Sequence, residues 1–192
     1  MSDHSHGYEA VADAFQRARS SAGAGVVAEW ARAFTLPADI LDVGCGFGEP
    51  VTRVLLEAGH KVSGIDASPS LVAAFRQNFP DVPVACEPAQ TSTFFGQTYD
   101  GIVAVGLIFL FEADQQTVLL RRFAQALRPG GKLLFSAPVE EGSWKDILTQ
   151  QTSVSLGEAA YRAALQSAGF AHIESRTDES RNHHYAASLP SV

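Results

Sequence analysis

The run Ile40-Leu41-Asp42-Val43-Gly44-Cys45-Gly46-Phe47-Gly48-Glu49 holds the residues whose types and spacing best suit chemistry. It reads as a buried strand that ends in a glycine turn and opens a helix. A second apolar run, Lys61-Val62-Ser63-Gly64-Ile65, ends in Asp66, 22 residues beyond Gly44. A glycine turn after one strand and an acid after the next is how an α/β sheet holds an adenine nucleoside. The glycines admit the ligand close to the backbone, and the carboxylate accepts from the ribose hydroxyls. A dinucleotide turn, G-x-G-x-x-G, would need glycine at position 49, where Glu49 stands; the spacing here is G-x-G-x-G at Gly44, Gly46 and Gly48. Asp42 and Glu49 flank the turn and would repel a pyrophosphate. A nicotinamide-dependent oxidoreductase is disfavoured on that ground, and a ligand carrying a cation and no phosphate is favoured.

S-adenosylmethionine is such a ligand, with a sulfonium, an ammonium and a free ribose. Leu41-Asp42-Val43-Gly44-Cys45-Gly46-Phe47-Gly48 resembles motif I of the class I S-adenosylmethionine-dependent methyltransferases. Gly64-Ile65-Asp66-Ala67-Ser68-Pro69 is similar to their second motif, Tyr99 to Val105 to their strand-four segment, and Leu127 to Phe135 to the turn into their strand five. The four segments occur in the family's order. The resemblance implies a Rossmann-like, doubly wound, mostly parallel sheet of seven strands in the order 3-2-1-4-5-7-6. It implies S-adenosylmethionine as cofactor and methyl transfer to an O, N or other nucleophile of a small molecule. The alternative is a non-catalytic binder of S-adenosylmethionine or S-adenosylhomocysteine on the same fold.

Site residues follow from the two arguments together. Asp66, with Ala67 beside it, is expected at the ribose, with helix capping as the competing role. Gly44, Cys45, Gly46, Phe47 and Gly48 form the cofactor turn, and Asp42 fixes it and reaches toward the ammonium. The resemblance implies an acid near the adenine amino group, which falls on Glu87. Pro88 departs from the small residue the family shows next, and Gln90 is a substitute. Val105 and Gly106 are expected to present backbone beside the methionine moiety. Leu107 to Phe111 then form either an apolar wall near the methyl or core packing. Tyr8, in an N-terminal helix, either contacts the cofactor carboxylate or anchors its helix. His183 and His184 are candidate general bases, although side chains alternate along a strand, so one of the two is expected to face the pocket. His60 needs no function. No metal-ligand spacing occurs, and no Asn/Asp-Pro-Pro-Tyr motif follows strand four.

The 192 residues suffice for one domain, and 46% hydrophobic against 18% charged residues suits a sheet buried on both faces. The expected organisation is one domain over 1–192, with a helical lid over 1–35 and a core over 36–192. A net charge of −7 with no basic cluster argues against nucleic acid. The one adjacent pair, Arg121-Arg122, reads as a solvated helix face. Cys45 and Cys86 have no C-x-x-C partner and read as space-filling residues. No apolar run spans a membrane, and the polar N-terminus lacks a signal-peptide core. A cytoplasmic protein, monomer or homodimer, acting on a small-molecule acceptor is expected.

The elements that must position these residues alternate. Helices are expected at 7–19 and 22–34, then strand 39–43, a helix from 48 to 58 stopped by Gly59, and strand 61–65. A helix capped by Ser68 with Pro69 at its first position runs to Phe79. Strands at 82–86 and 99–105, a helix at 114–127 and a strand at 132–137 follow. Residues 140–154 read as loop and short helix. A helix over 156–168, capped by Ser155 and stopped by Gly169, precedes strands at 170–176 and 183–189. Ligands bind such sheets at the carboxyl ends of strands where strand order reverses, here between strands one and four.

Overall fold

The N-terminal segment is less helical than its sequence suggests. In the computed structural model, which describes residues 3–191, a single 3-10 turn at Glu9–Val11 precedes helix α1 (Ala12–Ala18), and α2 spans Ala24–Ala31. Met1, Ser2 and Val192 of the expected domain lie outside the described residues. Asp3 shapes the entry: its carboxylate accepts from the N–H groups of Ser5 and Gly7, and the backbone turns through positive φ at His6 and Gly7.

The sheet follows the expected course. Strand β1 (Asp39–Val43) leads through α3 (Val51–Glu57) to β2 (Lys61–Asp66), and α4 (Pro69–Asn78) leads to β3 (Val84–Cys86). Next come β4 (Tyr99–Ala104), α5 (Ala113–Ala126) and β5 (Leu127–Ser136). Gly48, at φ +90°, holds the start of α3 back to Val51. Ser68 caps α4 as expected, its Oγ accepting from the Leu71 N–H at 3.2 Å.

Residues 140–154 correct the sequence reading. They contribute most of a two-stranded hairpin, β6 (Glu141–Lys145) with β7 (Thr152–Leu156). All five β6 residues are exposed, so no apolar alternation marks the strand. Ser155 lies in β7 and does not cap the next helix. Its Oγ accepts from the Gly157 N–H, and Gly157, at φ +80°, takes the cap position of α6 (Glu158–Ser167). Strands β8 (Ala171–Thr177) and β9 (His183–Ser188) complete a seven-stranded sheet ordered β3-β2-β1-β4-β5-β9-β8. This is the expected order, with the numbers raised by the hairpin. β9 runs antiparallel to β5 and β8, and the other pairs are parallel.

Period-two alternation divides the core. Leu41, Val43, Ile65 and Ile102 pack with Leu119, Leu120 and Phe123 of α5 on one face. Ile40, Val62, Val103 and Leu134 pack with Val27 and Trp30 of α2 and Leu55 of α3 on the other. Rows of fully buried Val, Ile and Leu side chains hold the strand ends fixed, each burial contributing roughly 1.5–3 kcal/mol. His60, buried, joins α2 to β1: it accepts from the Ala38 N–H and donates to the Ala31 carbonyl. That is a structural role, as expected.

Candidate active site

The carboxyl ends of β1, β2, β4 and β5 open into a cavity of about 1200 Å³, roofed by the N-terminal segment and by the loop of the β6–β7 hairpin. Its floor begins with the glycine turn. The N–H groups of Gly44 and Cys45 both donate to the Ile65 carbonyl, at 2.8 and 3.0 Å, which ties the turn to the end of β2. Asp66 reinforces the tie. Its carboxylate accepts from the Gly46 N–H at 2.9 Å and the Ser68 N–H at 2.8 Å. Burial pushes the Asp66 pKa above the ordinary carboxylate value, and those backbone N–H groups oppose the rise. Each Asp66 oxygen keeps lone-pair capacity toward the cavity. The capping role falls to Ser68, and Asp66 supports that cap residue through its N–H.

Asp42 is 2% exposed and accepts from Thr52 Oγ1 at 2.7 Å. Burial raises its pKa to about 7; the Thr52 hydrogen bond and the charge of Arg19 act against the rise, and Asp66 adds to it. A cation at this point would relieve the penalty on the ionised form. Cys45 lines the cavity, and burial raises its thiol pKa, with Asp42 and Asp66 adding to the shift. It is therefore a protonated filler, as read from sequence. Cys86 is exposed.

Of the other cofactor-turn and rim candidates, Gly44, Gly46, Ala67, Glu87, Val105, Gly106 and Tyr8 also line the cavity, whereas Phe47, Gly48 and Pro88 do not. Gly48 serves packing: a Cβ there would lie 2.2 Å from the Phe79 ring. The Phe47 carbonyl accepts from Asn78 Nδ2, and its ring meets Phe15 edge-on, so it joins α3's entry to α1 and α4. The Pro88 carbonyl accepts from the N–H groups of Thr91 and Ser92 and turns the chain away. Glu87 accepts from Ser92 Oγ, while Gln90 lines the cavity with a buried Oε1 that has no hydrogen-bond partner among the described residues. Arg122 corrects another expectation. It is not a solvated face but donates to the carbonyls of Ala89 and Ser92 and lies over the Phe94 ring, pinning this loop.

Beyond β4, Gly106 donates its N–H to Ser136 Oγ at 2.7 Å, and an added Cβ would meet nothing within 4 Å among the described residues. The segment after it divides between cavity and core. Leu107 and Phe109 line the cavity, and Ile108 is fully buried in the core. Tyr8 donates from its hydroxyl to Asp146 in the hairpin loop at 3.2 Å and packs edge-on against Phe15. Glu9 beside it accepts from Ser68 Oγ and from Ser70 at the start of α4. The N-terminal segment is thus tied down at both sides, to the hairpin loop and to the start of α4.

Comparison with known proteins agrees with this architecture. Residues 40–131 match a family described as a methyltransferase domain. Over these residues the chain resembles the class I S-adenosylmethionine-dependent methyltransferases. It is 32% identical over 123 residues to a tRNA U34 carboxymethyltransferase of Saccharophagus degradans, a match covering 58% of this chain and 36% of that protein. The chain thus spans about a third of that relative's length. In fold it is similar to the CcbJ methyltransferase of Streptomyces caelestis, with a TM-score of 0.78, 17% identity and 100% of both chains covered. It is also similar to the 1,6-didemethyltoxoflavin-N1-methyltransferase of Burkholderia thailandensis, whose structure holds 1,6-didemethyltoxoflavin and S-adenosylhomocysteine. That TM-score is 0.74, at 20% identity, covering 100% of this chain and 92% of the other.

The far half of the cavity holds the histidines. Both His183 and His184 line it, against the expectation of one, because the cavity wraps over the end of β9 and so meets both faces of the strand. His183 Nδ1 lies 3.4 Å from Thr177 Oγ1, and burial lowers its pKa. His184 Nε2 lies 3.1 Å from Asp178 Oδ2. Sequence reasoning missed Arg19, Asp146 and Asp178. Arg19 follows α1, lines the cavity and forms no ion pair among the described residues. Burial lowers its pKa, and Asp42, Tyr8 and Asp178 oppose the shift. Its neighbour Arg17 carries the same charge within α1, so no sequence signal singles Arg19 out. Asp146 and Asp178 sit in loops with no spacing to mark them.

Proposed function

We propose that the chain transfers a methyl group from S-adenosylmethionine to a nitrogen or oxygen nucleophile of a small molecule. The observation that carries the reading is Asp66, which ends β2 at the cavity and is hydrogen-bonded to the glycine turn. The residues suit the cofactor. Asp66 would take the ribose, Asp42 the ammonium and Arg19 the carboxylate. Gln90 Oε1 and Glu87 would face the adenine amino group, and Val105 and Gly106 would flank the methionine moiety. Tyr8 would act on the lid and not on the ligand. When bound, the sulfonium supplies an electrophilic methyl. The chain's part is then to align the acceptor and exclude water.

A small acceptor is supported by the roof. Tyr8 reaches Asp146, and a Cβ on Gly7 would come within 3.1 Å of Thr149, so little width remains between lid and hairpin. Residues 1–35 act as the lid on one domain. The net charge of −7 also favours a small acceptor over tRNA, the substrate named for the curated relative. Among the described residues no helix is long and apolar enough to cross a membrane. The reading places the protein in the cytoplasm as a monomer or homodimer, which fractionation and light scattering check.

The test is incubation with S-adenosylmethionine and, separately, small amines, phenols, carboxylic acids and total tRNA, with mass spectrometry of the products. Gain of a methyl group by a small molecule is expected. Modification of tRNA alone would overturn the small-molecule reading. Cofactor binding without any product would leave the non-catalytic binder.

A further inference from the structure

We infer that His184 and Asp178 form a proton-accepting dyad at the acceptor end of the cavity, with Nδ1 of His184 taking the proton of an N–H or O–H nucleophile. The inference rests on the methyl-transfer reading above and adds to it a residue that acts on the acceptor.

The dyad is built from the turn upward. Asp178 opens the β8–β9 turn and is 8% exposed. Its Oδ1 accepts from the N–H groups of Ser180 at 2.9 Å and Asn182 at 2.8 Å, and its Oδ2 from Asn182 Nδ2 at 3.0 Å. Burial pushes its pKa up, but the hydrogen bonds from Asn182 and His184 outweigh this and hold the group below the ordinary carboxylate value. An anionic Asp178 can only accept, so His184 Nε2, 3.1 Å away, carries the ring proton of the neutral form. That leaves Nδ1 with a lone pair. Nδ1 is buried without a hydrogen-bond partner among the described residues, on a residue that lines the cavity and is 1% exposed. A buried polar atom without a partner carries a cost that a bound acceptor would remove.

The surroundings favour a base. Beside His184 on β5 lies Ser136, which is neutral and bonded to Gly106 at the end of β4. On β8 the register partner is Arg176, whose charge is matched by Glu29 of α2 and by Glu174. Above the ring is Gly23, where a Cβ would lie 3.4 Å from Cε1 of His184. His183 precedes it on β9, and Arg19 reaches toward Asp178 from the end of α1. The facing charges are therefore one carboxylate in contact, one balanced arginine, one histidine and Arg19.

The step balances. The nucleophile forms a bond to the methyl carbon, and the carbon–sulfur bond breaks with its electron pair left on sulfur. The nucleophile's proton passes to Nδ1 of His184, and Asp178 balances the resulting imidazolium. Asp178 is a positioning residue, since it fixes the tautomer and touches no substrate.

The test needs no acceptor. Imidazole 15N and 13C NMR of the full chain reads the tautomer of His184 and the Nδ1 chemical shift in complexes with S-adenosylmethionine and with S-adenosylhomocysteine. A proton on Nε2 in both complexes is expected, with an Nδ1 shift that differs between them because only one ligand carries the sulfonium and its methyl. Asp178→Asn should mix the tautomers in both complexes. The same Nδ1 shift in both complexes, or a proton on Nδ1 in the neutral ring, would overturn the dyad even though both ligands bind. Failure of either ligand to bind would overturn the cofactor reading, and the inference with it.

Discussion

The two halves of the cavity are built differently. The half around the glycine turn is mostly backbone: the turn, the ends of β1 and β2, and the Asp66 carboxylate, which accepts from the turn at Gly46 and from the Ser68 N–H at the start of α4. The far half is mostly side chains drawn from distant segments. Tyr8 and Arg19 come from the N-terminal segment, Leu107 and Phe109 from the β4 exit, Trp144 and Asp146 from the hairpin, and Asp178, Asn182, His183 and His184 from the last turn. A backbone cradle needs particular residues at fixed spacing, so it leaves a pattern in the sequence. A wall of side chains needs only a shape, and its members can sit anywhere the fold returns to.

The sharpest way to break the comparison lies inside the turn. If Gly48 serves packing and Gly46 serves the cradle, their substitutions should separate. Gly48→Ala forces a Cβ to 2.2 Å from Phe79 at φ +90°, and a loss of about 3 kcal/mol in denaturant melts is expected. Gly46→Ala, whose nearest contact is Phe15 at 3.4 Å, should cost stability by about 1–2 kcal/mol from its positive φ. It should lose cofactor affinity by a larger factor than Gly48→Ala does after correction for unfolding. Equal patterns in the two variants would erase the distinction.

Next in size is the pH response of Asp42. Its pKa rises from 3.8 to about 7 on folding, so the folded state holds this proton more tightly than the unfolded state. The contribution to stability is full below about pH 4 and is lost as pH climbs through about 7. Melting of the ligand-free protein should therefore show wild type losing ground to Asp42→Asn over that window. Affinity for S-adenosylmethionine should move the other way, rising about tenfold from pH 6 to pH 8 as the carboxylate ionises. A flat wild-type affinity profile would remove Asp42 from the cationic end.

The smallest effect tests the latch. Tyr8→Phe removes one hydrogen bond to Asp146, worth roughly 1 kcal/mol. Release of S-adenosylhomocysteine, followed by stopped-flow fluorescence, should quicken several-fold with little change in the melting curve. An unchanged rate would make Tyr8 only an anchor.

How much could be read in advance follows the same division. β1 and β2 announce themselves as Val/Ile/Leu runs, and Ser68-Pro69 marks the start of α4 by capping chemistry. The hairpin could not be read, because Glu141-Gly142-Ser143-Trp144-Lys145 faces water at every position and shows no period. Gly48 fits the ligand spacing, and only its distance from Phe79 assigns it to packing. Side-chain alternation gave the right faces for His183 and His184, but a cavity over a strand end reaches both. Asp178 and Asp146 are ordinary loop acids until the fold brings them to His184 and Tyr8.

The most direct test of the backbone-built cofactor half is titration calorimetry with S-adenosylmethionine and S-adenosylhomocysteine on wild type and Asp66→Ala. Binding of both ligands by wild type, weakened about 100-fold in the variant with its fold retained by circular dichroism, is the predicted result. Equal affinity in the two proteins, or no binding by wild type, would contradict it.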